Sequence, residues 1–129
     1  MAEEETPIRY SDEQMAEYKR TARRRLEAEK RNRVARHARA WELAREAAAL
    51  LRREYGVERI VVFGSVLDVE RFTERSDVDI AAWGLTSANW LKAILAVQRL
   101  SPDIEINLVD VGACSQELLA IIERDGVDL

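Results

Sequence analysis

Two short stretches of this chain carry groups suited to phosphate and divalent-metal chemistry. The first is Phe63-Gly64-Ser65; eleven residues later comes Asp77-Val78-Asp79-Ile80. A glycine directly after a buried strand lets a phosphate approach the backbone, and the Ser65 hydroxyl with the following backbone N–H groups can hold phosphate oxygens. Asp77 and Asp79 stand two apart at the start of an apolar run. In an extended strand both carboxylates therefore leave one face while Val78 and Ile80 enter the core. Paired oxygen ligands suit Mg²⁺, which takes one or two carboxylates and completes its shell with substrate phosphates and water. Gly-Ser alone is a common turn, and Asp-x-Asp alone is a common solvated strand edge. Their succession in this order is what points to a site.

The elements that must position these groups follow from periodicity. Arg59 to Phe63 is expected to be a buried strand ended by Gly64-Ser65, and Val78 to Trp83 a second strand closed by Gly84. Thr86 or Ser87 is expected to cap a helix running to Leu100. Ile104 to Val111 reads as a third strand, with Ile104, Ile106 and Leu108 on one face and Glu105, Asn107 and Val109 on the other. Ser115 then caps a last helix that stops near Asp125-Gly126. Ahead of all this, Ser11 and Gln14 form a capping box, and no Gly or Pro interrupts the chain until Gly56. Such a helix of forty-odd residues would span about 65 Å. Val34, Trp41, Ala44, Ala48, Leu51 and Tyr55, widened by Ala38, Ala47 and Leu50, give its second half an apolar face. A long coiled coil is not expected, because Arg25, Glu29 and Asn32 interrupt the seam begun by Met15, Tyr18 and Ala22. The expected fold class is α+β, an α/β sandwich of one small mixed sheet, divided into a basic helical arm over 1–33 and a domain over 34–129.

Composition narrows the classes. The 129 residues are 47% hydrophobic and 34% charged, with 5 Gly and 2 Pro, a composition that can fill a core and is neither fibrous nor disordered. One Cys and one His exclude a disulfide scaffold and a Cys/His zinc cluster. No apolar run approaches the roughly 18 residues of a membrane span, and the acidic opening Met1-Ala2-Glu3-Glu4-Glu5 lacks the apolar stretch of a signal peptide, so a cytoplasmic protein is expected. Charge is unevenly spread. Residues 19–39 hold ten basic side chains against two acidic ones, a net of +8, leaving −12 for the rest of a chain whose formal charge is −4. Such a segment attracts a nucleic acid or an acidic partner. Trp41, Trp83 and Trp90 read as core or interface aromatics, Trp83 having a nucleotide-stacking alternative. His37 and Cys114 have no catalytic neighbour in sequence.

Val61-Val62-Phe63-Gly64-Ser65 through Ser76-Asp77-Val78-Asp79-Ile80 resembles the signature of the minimal nucleotidyltransferases, small members of the DNA polymerase β-like superfamily. Many of these act as antitoxins beside HEPN-domain ribonuclease toxins. The resemblance covers residues 59–129, including Leu108-Val109-Asp110 and the closing Ile121 to Val127. It implies a nucleotidyltransferase fold and transfer of a nucleoside monophosphate from Mg-NTP to an acceptor hydroxyl; in the antitoxin members this is AMP from ATP, passed to a tyrosine of the toxin. Gly64, Ser65 and Ser76 would then serve the nucleotide, and Asp77 and Asp79 the Mg²⁺. The family's third carboxylate matches Asn107, a neutral amide that keeps an oxygen donor and loses the charge. Glu105, two residues earlier on the same face, could reach the site in its place. Where the family has an early Arg-Gly pair, this chain has Leu67-Asp68-Val69, leaving phosphate contacts to backbone groups and to Arg71 or Arg75. Three functions are compatible with these residues: an active transferase antitoxin, an antitoxin of the same fold that acts by binding alone, and a nucleic-acid-binding module using residues 19–39, either free-standing or as a tRNA-directed transferase.

Overall fold

The computed structural model describes residues 9–129; the acidic opening of the chain lies outside the described residues. They form two units, one ending at Asn32 and the other comprising Arg33–Leu129. Helix α1, Asp12–Tyr55, runs through the boundary. It starts where the capping box places it: the Ser11 hydroxyl accepts from the Gln14 N–H (3.1 Å), and the Gln14 side chain accepts from the Ser11 N–H (2.9 Å). It stops at Gly56, whose φ of +62° only glycine adopts freely. In the first unit no residue of α1 is buried.

The second unit is α+β. After α1 come β1 (Arg59–Phe63), β2 (Val78–Trp83), α2 (Trp90–Gln98), β3 (Ile106–Asp110), α3 (Gln116–Asp125) and β4 (Val127–Asp128), with 3₁₀ turns at Gly64–Leu67 and Val111–Ala113. The sheet has the order β3-β2-β1-β4; β2 and β3 are parallel and the other pairs antiparallel. Alternation sorts its side chains into two cores. Ile60, Val62, Val78, Ile80, Ala82 and Ile106 meet α1 and α2, and Val61, Phe63 and Ala81 meet Ile122 of α3. Strands covered on both faces read as continuous apolar runs, which is why β1 shows no alternation in sequence.

Four expectations need correction. The docked stripe of α1 includes Ala40 and Leu43, whereas Val34 (49% exposed) and Ala38 face solvent. On that side Arg36 and His37 turn inward instead, because carbonyls of the β1–β2 loop require donors there. Helix α2 begins at Trp90 rather than at Thr86 or Ser87, since Thr86 closes a turn by accepting from the Asn89 N–H through both its hydroxyl and its carbonyl. It also ends at Gln98, two residues before Leu100. Strand β3 is shorter than Ile104–Val111. The Ser101 hydroxyl ties the N–H groups of Asp103 and Ile104 into a turn, and the Asp110 carboxylate accepts from the Gly112 N–H. Ser115 caps α3 as expected, through the Leu118 N–H. No helix among the described residues is long and apolar enough to cross a membrane.

Candidate functional site

Three strands bring the predicted groups together. Phe63 of β1 pairs with Asp79 of β2, and Asp79 pairs with Asn107 of β3. All three side chains leave the sheet face that carries α3, and Asp77, two residues before Asp79, shares it. The Asn107 amide nitrogen donates to Asp77 Oδ2 (3.3 Å) and to Asp79 Oδ1 (3.2 Å). The two carboxylates thus converge on one point, and the amide orientation follows from their charge. An oxygen turned toward them would set three acceptors against one another.

The second oxygen of Asp79 faces Gly64. Gly64 has φ +80°, and a Cβ built on it would stand 2.6 Å from Asp79 Oδ2. The glycine therefore answers two demands, a left-handed turn and room for a carboxylate. Burial holds the Asp79 carboxyl above its ordinary value near 3.8; the Asn107 hydrogen bond opposes this, and the charge of Asp77 adds to it. A cation between the carboxylates would reverse the balance.

The β1–β2 loop that links these groups is pinned from α1. His37 Nε2 meets the Val66 carbonyl at 2.6 Å and so donates to it. The Arg36 guanidinium spans the carbonyls of Thr73 and Ser76 (3.3 Å each) and of Asp103 (3.4 Å). Buried Phe72 sits between them, edge-on to the His37 ring at 5.7 Å and under the Arg36 guanidinium at 5.9 Å. Val66 follows Ser65, and Ser76 precedes Asp77, so both clamps act one residue from the site. The sequence reading counted Arg36 among the ten basic side chains of residues 19–39 and gave His37 no role, and so missed this one. The signal for it was the lone polar pair on what is otherwise the docked side of the helix.

The remaining predicted residues are placed as follows. Ser65 is half-buried in the turn after Gly64. The Ser76 hydroxyl accepts from the Thr73 N–H (2.9 Å) and shapes the loop. Glu105 is exposed and stands apart from the Asn107 hydrogen bonds. It lines an open groove of about 580 Å³ together with Asp77, Arg75 and Asp103. Arg71 is exposed. Trp83 lies four residues along β2 from Asp79, about 13 Å away, and the Arg59 guanidinium covers one face of its ring at 4.4 Å. The Cys114 thiol donates to the Val111 carbonyl at 3.4 Å.

Among the described residues no three His, Cys, Asp or Glu side chains gather into one cluster. The donors present, two convergent carboxylates beside a glycine cradle, fit a Mg²⁺ ion that fills its shell from water and a phosphate-bearing ligand. Comparison of the chain with protein-family models, with curated proteins and with solved structures returns no match.

Proposed function

We propose that this protein is a nucleotidyltransferase of the minimal nucleotidyltransferase type that passes AMP from Mg-ATP to a hydroxyl of a partner protein, as antitoxin to a HEPN-domain toxin. The observation that carries this reading is the convergence of Asp77 and Asp79 on one point next to Gly64. Within it, Asp77 and Asp79 would hold Mg²⁺, which when bound supplies the positive charge that neutralises the triphosphate and the departing pyrophosphate. The acceptor oxygen forms a bond to the α-phosphorus as the bond from that phosphorus to the bridging oxygen breaks. Pyrophosphate leaves with the electron pair, and the hydroxyl proton passes to a base. We assign that role to Glu105, which lines the same groove as Asp77. Gly64 and Ser65 lie against the phosphates, and Arg75 in the groove adds charge to them. Arg36 and His37 hold the loop that carries these groups.

A second reading rests on Asn107. Its neutral amide joins the two carboxylates where a third carboxylate would strengthen metal binding, and a fold kept for binding its partner alone has no need of that charge. Transfer of labelled AMP from ATP to a co-purified partner separates the two. Transfer that disappears in Asp77→Asn/Asp79→Asn, with unchanged circular dichroism, is the expected result. Transfer at the wild-type rate in that variant overturns the site, and tight co-purification without transfer favours the second reading.

A further inference from the structure

The contacts of the basic segment divide it in two. Arg33, Arg36 and Arg39 are engaged with Glu70, with loop carbonyls, and with Glu42 and Glu46. The seven cations from Lys19 to Arg31 join no ion pair among the described residues. On a helix turning 100° per residue, Lys19, Arg20, Arg23, Arg24, Lys30 and Arg31 fall in one arc of about 140°, along about 18 Å of axis. Arg25 lies outside it, and Glu27 is the one acid within it. Leu26, 65% exposed, and Met15 lie within about 40° of one border of this arc, while Tyr18 falls on the opposite side of the helix.

We infer that this face of α1 is a binding surface for a nucleic-acid backbone, a function separate from the transferase reading and independent of it. Like charges three and four residues apart on a helix repel, so Lys19 with Arg23 and Arg20 with Arg24 weaken the isolated helix. A row of phosphates removes that repulsion and releases its own counterions. Four of the six cations are arginines, whose planar forks match phosphate oxygens. A phosphodiester backbone offers anions at regular intervals along a line, as the face offers cations.

The test is titration of the full chain against a 20-nucleotide single-stranded RNA, the same sequence as DNA, and a duplex RNA, across a salt series. Binding to any of them with a slope of log K against log salt of about −4 to −5 is expected from six contacts. A second chain keeps the net charge and moves two of the six cations off the face: Arg20→Gln and Arg24→Gln, with Thr21→Arg and Asn32→Arg on the other side of the helix. It is expected to bind about 25- to 60-fold more weakly at 0.1 M salt. Arg20→Lys/Arg24→Lys, which keeps both charges in place, should retain the slope even if the relocated chain loses helicity. Unchanged affinity in a relocated chain of normal helicity overturns the inference, because net charge alone would then explain binding. So does binding of poly-glutamate as tight as that of RNA, which would make the face a site for an acidic protein, and so does the absence of RNA binding at 0.05 M salt.

Discussion

Gly64 and Asp79 are in contact across two strands, so close that any side chain at 64 would meet the Asp79 carboxylate. The turn that follows β1 and the acid that opens β2 are therefore one structural unit. Gly64→Ala is expected to destabilise the protein by about 1–3 kcal/mol, combining a left-handed backbone with that collision. For a unit of this size the melting temperature should fall by about 5–15 °C. Removing the carboxylate should relieve part of the loss. Gly64→Ala/Asp79→Ala is expected to be about 1 kcal/mol more stable than the sum of the two single variants predicts. Strict additivity would mean that the contact has no energetic weight.

Asp79 also gives stability a pH dependence of definite sign. Its folded pKa is raised above 3.8, first by burial, so above 3.8 the folded state binds a proton more readily than the unfolded chain. Stability associated with this group is present at low pH and declines as pH rises through the folded pKa. Asp79→Asn does not titrate. In a chelating buffer it should melt above the wild type at pH 7, with the gap closing toward pH 4. A gap that is constant between pH 4 and 8 would remove Asp79 as its source.

Much of this architecture is legible in the residues themselves, where local chemistry decides. Ser11 with Gln14, Gly56, and Ser115 mark helix ends because caps and positive φ are local requirements. The runs at 59–63 and 78–83 are too short and too apolar to be anything but buried strands. The convergence of Asp77, Asp79 and Asn107 is half legible: spacing puts the two acids on one face, but only register across β2 and β3 brings Asn107 between them. What is not legible depends on distant partners. Val34 and Ala38 look like core on a helical wheel, yet the loop carbonyls draw Arg36 and His37 inward. β4 is only two residues long, and it exists because Gly126 lets the chain pass close to Val61 and Ile122, where a Cβ would collide.

The clamps on the β1–β2 loop can be separated from mere packing. His37→Phe keeps an aromatic ring against Phe72 and leaves the Val66 carbonyl without its donor, an expected loss of about 1–3 kcal/mol. Arg36→Lys keeps the charge but cannot span three carbonyls at once. Both should raise amide hydrogen exchange across residues 64–77 by about tenfold or more while strands β1 and β2 stay protected, and both should weaken nucleotide binding. Exchange confined to wild-type rates in that loop would show that the clamps do not position it.

Asn107→Asp tests the proposed Mg²⁺ site directly. Without a cation the variant gathers three carboxylates and loses both amide hydrogen bonds, so in chelator its melting temperature should drop below that of the wild type. Mg²⁺ should then do more for the variant than for the parent. A third charged oxygen beside Asp77 and Asp79 is expected to tighten Mg²⁺ binding by about tenfold, seen as a larger rise in melting temperature across a Mg²⁺ titration. AMP transfer should increase in parallel if the charge at 107 limits it. If Mg²⁺ stabilises both forms equally, the cation does not sit between these side chains. If binding tightens and transfer does not rise, Glu105→Gln should then abolish transfer, marking Glu105 as the carboxylate that serves the acceptor hydroxyl.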